Sequence, residues 1–260
     1  SGPGTVRRYR TLDELKNHEF VFSQNEFEEV FRGRREKAVR TAREYMDQRI
    51  RRISRTQDGA EAYAQDKKHY TRDELVDKLG IDPSLPMVVI MSHVFPDAPH
   101  SFAHNLYDDY VQWLRATLEM IRDMTHVNWL IKPHPDNKHY DSKHSVEEEA
   151  RVYVAGRENI NILPDDLNTA CLYDFAHAVV TVAGTAGLEF SAMGIPVVNA
   201  GSSFYTGHGF TQMPATIEEY RAVLAGIDRL ERLDNERQER ALTCMYMYYF
   251  LSRVRCDLVP

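Results

Sequence analysis

Cysteine is scarce in this chain: Cys171, Cys244 and Cys256 are the whole set. None lies in a CxxC pair, so no zinc knuckle or dithiol motif is spelled out. The odd count fits a reducing compartment. Long apolar runs are also missing, and nothing approaches the ~18 consecutive residues that a membrane-spanning helix needs. The start shows no basic, then apolar, secretory leader. Ser1-Gly2-Pro3-Gly4 instead reads as a cloning remnant, outside fold reasoning, on a chain that can be a piece of a longer protein. A basic excess is absent too. The 32 Lys and Arg against 39 Asp and Glu give a net charge of −7, which argues against a nucleic-acid binder. There is no GxSxG elbow, no GxGxxG fingerprint, no P-loop GK[ST] and no DxD pair, so the common hydrolase and P-loop signatures are excluded. No metal site and no cofactor are expected. A cytoplasmic protein is expected, with any membrane contact peripheral and at the inner face.

What is present is enough for a core, since 43% of the 260 residues are hydrophobic. The texture divides near Pro86. Residues 5–85 are charged and helical in rhythm. Ala38, Val39, Ala42, Tyr45, Met46, Ile50 and Ile53 fall at helical spacing, within the arginine-rich FRGRREKAVRTAREYMDQRIRRISR. That basic segment reads first as a solvated helix face, and second as a surface for an anionic membrane or a partner domain. Thr71 is placed to cap a helix that Gly80 ends.

From residue 86 to 260 strands and helices alternate. Expected strands are Met87–Met91, Val127–Ile131, Asn161–Leu163, Ala178–Val182 and Ile195–Asn199. Expected helices are Tyr107–Asp123, Val146–Ala155, Thr169–Ala176, Gly187–Met193, Thr216–Leu230 and Asn235–Leu251. Short, continuously apolar strands separated by helices imply right-handed βαβ units and a parallel sheet covered on both faces. The expected fold is α/β, a Rossmann-like doubly wound sheet with an N-terminal helical segment.

Ligands of such sheets bind at the carboxyl ends of the strands, so the loops there carry the candidates. After the first strand, Ser92–His104 holds His93, Asp97, His100 and His104. His93, Asp97 and His104 are the candidate acid–base residues, although a polar loop shaped by prolines has the same composition. After the second strand comes Lys132-Pro133-His134-Pro135. Each proline removes a donor and holds its predecessor extended. The strand therefore stops, and a lysine and a histidine stand at its end, suited to phosphate. After the fourth strand, Gly184-Thr185-Ala186-Gly187 opens a helix whose first N–H groups can meet an anion, with Glu189 one turn on, placed for ribose hydroxyls. Glycines for tight strand–helix packing are the plainer alternative. After the fifth strand, Ala200–Phe210 offers Ser203, Tyr205 and His208 as substrate contacts, with Tyr205 or Phe204 as a stacking face. It reads equally as a flexible connection.

Together VNWLIKPHP, TVAGTAGLEFSAMGIPVV and the glycine-rich Tyr/His loop resemble bacterial capsule and surface polysaccharide biosynthesis proteins. These are GT-B glycosyltransferases, similar in motif to the HP-motif transferases that use CMP-activated sugars, Kdo transferases among them. The resemblance spans about residues 75–230. It implies that Lys132 and His134 contact a donor phosphate, that Gly184, Thr185, Ala186 and Gly187 line the phosphate turn, and that Glu189 meets the ribose. The partners implied are a nucleotide-sugar donor and a saccharide or glycolipid acceptor. GT-B enzymes set two Rossmann-like domains across a cleft, whereas this sequence shows one, so an acceptor-side domain of a longer chain is expected. A nucleotide-sugar epimerase and a non-catalytic module of a polysaccharide assembly protein are the alternatives.

Overall fold

A computed structural model describes residues 22–51, 62–64, 66–97, 104–139 and 144–251. His100, Cys256, Ser1–Gly4 and the expected helix end at Ile53 lie outside these residues. The first helix, α1 (Gln24–Ile50), starts ten residues before the expected Arg34. Ser23 caps it with a full capping box to Glu26, and it kinks at Arg34 (φ −136°, ψ 16°), just after Gly33. Helix α2 (Arg72–Leu79) has the expected Thr71 cap and ends at Gly80, whose φ of 65° places it in the left-handed region.

Five strands follow, with helices between them: β1 (Met87–Met91), α3 (Tyr110–Ile121), β2 (Asn128–Lys132), α4 (Val146–Val154), β3 (Ile160–Ile162), α5 (Leu172–Phe175), β4 (Ala176–Thr181), α6 (Thr185–Ala192), β5 (Val197–Asn199), α7 (Ile217–Ala225) and α8 (Asn235–Tyr246). A π-helical turn, Met247–Leu251, extends α8. All pairings are parallel, in the order β3-β2-β1-β4-β5. The chain winds outward from β1 in one direction and then, from β4, in the other. The switch point is therefore between β1 and β4, where a doubly wound sheet opens a crevice beyond its carboxyl ends.

Alternation along the strands sorts the core into two layers. Val88, Ile90, Trp129, Ile131, Ala178, Val180 and Val198 face α3, α4 and α7. Met87, Val89, Leu130, Val179 and Val197 face the other way, onto a cluster holding residues of α1, α2, α5, α6 and α8. The described residues of segment 22–85 thus share a core with the sheet. Along α1, Phe27, Phe31, Ala38, Val39, Ala42, Tyr45 and Met46 are buried, and the helix packs against α8. The exposed side carries the arginines as a solvated face: Arg35 pairs with Glu239, and Arg51 lies 3.1 Å from Asp47.

Candidate functional site

The tail of β1 ties the crevice together. Ser92 donates its backbone N–H to the Lys132 carbonyl at 3.1 Å, and its Oγ accepts the His134 N–H at 2.9 Å. His93 turns the other way. Its Nε2 accepts the Val182 and Ala183 N–H groups at 3.2 and 3.4 Å and lies 3.2 Å from Thr181 Oγ1. These contacts leave its ring proton on Nδ1. The ring stacks on Tyr110 at 4.1 Å and is buried. Burial, with the nearby His134, pushes its pKa down to about 3. One dipeptide therefore fixes both the loop after β2 and the turn after β4. This corrects the expected catalytic part of His93: a buried neutral imidazole with its acceptor nitrogen engaged is a brace, not a proton shuttle. Asp97 and His104 are exposed on the rim. His104 is pinned through its backbone to Ser202.

Lys132 closes β2 rather than opening the loop, and is 3% exposed. Its ammonium forms no hydrogen bond or ion pair among the described residues. Burial, and then the like charge of Lys67, bring its pKa down to about 8. His134 is half-buried, and its Nδ1 accepts the Asp136 N–H at 3.2 Å, so Nε2 carries the proton of the neutral ring. Across the switch point α6 begins at Gly184 with no side-chain cap. Thr185 and Ala186 are half-buried at its first turn. Gly187 is required by packing, because a Cβ there would lie 2.1 Å from Tyr205 Oη. Gly184 sits against His93, with 3.4 Å from an added Cβ to Cε1.

The expectations for Glu189 and for the loop after β5 are corrected as well. Glu189 does not face a ribose. It is 5% exposed, lies 2.8 Å from Arg49 Nε of α1, and accepts the Tyr63 hydroxyl at 2.5 Å, while Tyr63 also bonds Tyr173. Burial opposes the Arg49 charge most strongly, but Glu189 together with Tyr249, Tyr63 and Tyr45 outweighs it and holds the guanidinium above its ordinary pKa. Tyr205 is fully buried, donating to the Gly184 carbonyl at 2.9 Å and accepting from Asn199 at 2.8 Å, so no stacking face is offered. Ser203 is buried too, and its hydroxyl bonds the Ala183 carbonyl at 2.8 Å. His208 stacks on Phe27 at 4.3 Å, and burial pushes its pKa down to about 4. Phe204 stacks on Tyr248 of the π-helical turn at 4.0 Å. The loop after β5 is therefore an internal buttress of the turn that opens α6.

Sequence reasoning passed over Ser92 and the loop after β3. In that loop Leu163 donates to the Ile131 carbonyl beside Lys132. Among the described residues no group of three or more His, Cys, Asp and Glu gathers as a metal site, and no helix is long and apolar enough to cross a membrane.

A buried lysine whose ammonium has no partner among the described residues, a histidine and a helix start without a side-chain cap thus stand at the carboxyl ends of a doubly wound α/β sheet, where ligands of such sheets bind. The family described as capsule polysaccharide biosynthesis protein matches residues 17–226, and the chain belongs to it. No curated protein matches. Solved structures similar to it include two of Thermosulfurimonas dismutans KpsC. The β-Kdo 2,4 transferase is 15% identical with a TM-score of 0.45, over 80% of this chain and 55% of that one. The β-Kdo 2,7 transferase is 16% identical with a TM-score of 0.44, over 87% and 60%. UDP-GlcNAc 2-epimerase from Neisseria meningitidis is 10% identical with a TM-score of 0.43, over 66% and 46%. The chain spans little more than half the length of the transferases.

Proposed function

We propose that this chain is the donor-binding half of a glycosyltransferase of capsule or surface polysaccharide synthesis, holding a nucleotide-activated sugar, CMP-linked or otherwise, by its phosphate. The observation that carries the reading is Lys132. A charged side chain that is 3% exposed, with no partner among the described residues, is costly unless a ligand supplies the counter-charge. An anion at the crevice would meet that ammonium, His134 and the N–H groups of Thr185 and Ala186 at the helix start without a side-chain cap. As the sugar leaves, charge grows on the phosphate, and fixed donors in a water-poor site stabilise that charge best. Lys132 and His134 act here as electrostatic stabilisers. Asp97 and His104, exposed at the rim, are the remaining acid–base candidates for activating an acceptor hydroxyl. The acceptor would enter from the side facing a second domain of a longer chain.

The test is a thermal-shift and calorimetric screen against CMP, CDP, UDP, GDP and their sugars. A ligand at a hundred times its Kd adds about 2.7 kcal/mol of stability. One nucleotide should stabilise the chain selectively, and Lys132→Met and His134→Ala should remove that gain. No binding by any of them, or binding indifferent to both substitutions, overturns the reading.

A further inference from the structure

The turn between β4 and α6 is one-sided. Four carbonyls in a row are bonded to β5 or to the loop after it. The Thr181 carbonyl accepts the Ala200 N–H at 2.8 Å, and that of Val182 accepts the Asn199 side-chain amide at 2.9 Å. The Ala183 carbonyl accepts the Ser203 hydroxyl at 2.8 Å. The Gly184 carbonyl accepts the Tyr205 hydroxyl at 2.9 Å, and the Gly187 N–H at 2.9 Å as well. The Asn199 amide also donates to Tyr205 Oη at 2.8 Å, so the tyrosine's own proton is left for Gly184. Asn199, Ser203 and Tyr205 are fully buried, which holds this frame in place.

In a trans peptide the N–H points away from the carbonyl of the same plane. The N–H groups of Val182, Ala183, Gly184 and Thr185 therefore all face away from β5. The neighbour of β4 on that other side is β1, so they face the switch point. The first two show it directly, because both meet Nε2 of His93 in the tail of β1. The next two donate to no acceptor among the described residues. Burial changes at the same place: Val182 and Ala183 are buried, whereas Gly184 and Thr185 are half-buried. Lys132, whose ammonium has no partner among the described residues, lies on the same side of the sheet as α6. It stands two residues on from Leu130, which packs in the cluster that holds Leu188 and Phe190 of α6.

We infer that Ser203 and Tyr205 are positioning residues of the anion site: by taking the carbonyls of Ala183 and Gly184, they turn the N–H groups of Gly184 and Thr185 together into the crevice, as a cradle for one phosphoryl oxygen. Successive N–H groups turned to one side form an anion-binding concavity. The inference rests on the nucleotide-phosphate reading and deepens it. Two residues that the sequence offers as substrate contacts act through the backbone instead, and the Gly184 N–H joins the donors of the site. The ligand chemistry is the oxygen of a phosphate or diphosphate, so a nucleoside without phosphate gains nothing from the cradle.

Two measurements test it in the full chain. In the first, amide resonances of the isotope-labelled protein are followed as inorganic pyrophosphate, CMP, CDP or UDP is added. The Gly184 and Thr185 amide protons should move downfield, while those of Val182 and Ala183, already held by His93, should move little. In the second, affinity is measured by calorimetry below the unfolding temperature of each variant. Ser203→Ala and Tyr205→Phe should each weaken the phosphate ligand by roughly tenfold, the worth of one charge-assisted hydrogen bond, and leave any affinity for the matching nucleoside unchanged. His208→Phe, in the same loop but paired with Gln24 rather than with the turn, should bind as the wild type does. Ser203→Ala removes the lesser bulk and serves alone if Tyr205→Phe does not fold. Binding that leaves the Gly184 and Thr185 amides unmoved, or that is as tight in the variants as in the wild type, overturns the inference while the nucleotide reading stands. An equal loss in His208→Phe overturns it too, because loosening of the whole loop then accounts for the effect. A pyrophosphate response at the two amides with no nucleotide binding upholds the cradle and overturns the nucleotide reading. No response to any phosphate ligand overturns both.

Discussion

Replacing Arg49 with methionine should be among the most damaging single changes in the molecule. The Arg49 and Glu189 side chains are 4% and 7% exposed and lie 2.8 Å apart. The guanidinium also donates to Tyr45 at 3.3 Å and lies 5.7 Å from the Tyr63 ring centre. Methionine fills most of the volume but leaves the Glu189 carboxylate in the interior with tyrosine hydroxyls, Tyr63 among them, and no counter-charge from Arg49. Breaking one side of a buried pair costs about 3–5 kcal/mol, whereas replacing both sides with apolar groups is often neutral or better. A domain holds roughly 5–15 kcal/mol in all, so Arg49→Met should remove a large share of it. The double variant Arg49→Met, Glu189→Leu should recover most of the loss, and this coupling is the diagnostic part. Urea unfolding followed by circular dichroism reads both. With a slope of about 2–3 kcal/mol per molar, the Arg49→Met midpoint should fall by on the order of 1–2 M. A loss below about 1 kcal/mol, or a double variant as unstable as the sum of its parts, refutes the view that Glu189 serves α1 rather than a ligand.

Gly187→Ala should cost about 1–3 kcal/mol by overpacking against the rigid, fully buried Tyr205, measured in the same unfolding assay. Acid should destabilise the fold between about pH 6.5 and 3. His93 and His208 have folded pKa values of about 3 and 4 against 6.5, so the unfolded chain binds more protons and stability falls with pH. Replacing His208 with phenylalanine should flatten part of that slope in acid titrations of stability. Anion affinity should fall as pH rises through about 8, where free Lys132 loses its charge, and calorimetry on Lys132→Met should show no such step.

The strands were largely legible because an apolar, β-branched run covered on both faces has few other readings. Met87–Met91 is found as expected, and the Thr71 cap and Gly80 stop follow from local chemistry alone. The early start of α1 was spelled out as Ser23-Gln24-Asn25-Glu26, a capping box, but charged residues around Gly33 masked the Phe27 and Phe31 stripe. Lys132 and His134 stand out because proline geometry is local. The partners of Glu189 and His208 are not, since each meets a side chain distant in sequence, such as Tyr63 at a separation of 126 residues, while Tyr205 turns back onto Asn199 and the Gly184 carbonyl. A glutamate one turn into a helix or a tyrosine in a glycine-rich loop looks ligand-facing until its neighbour across the fold is known. His93 is similar: its acceptor role depends on the two N–H groups that the turn after β4 presents.

The clasp of α1 by α8 sets an order on biosynthesis. Arg35 and Glu239 meet across 204 residues. During translation the aromatic stripe of Phe27, Phe31 and Tyr45 leaves the ribosome long before Ala241, Leu242 and Met245, which close the same cluster. The β–α units can zip as they emerge, since their contacts are nearer in sequence, but α1 has to wait for the other end of the described chain. At roughly 5–20 residues per second, that interval lasts on the order of 10–40 s. A nascent chain arrested before α8 should therefore expose an amphipathic helix with three unsheltered aromatic rings, a ready target for a chaperone.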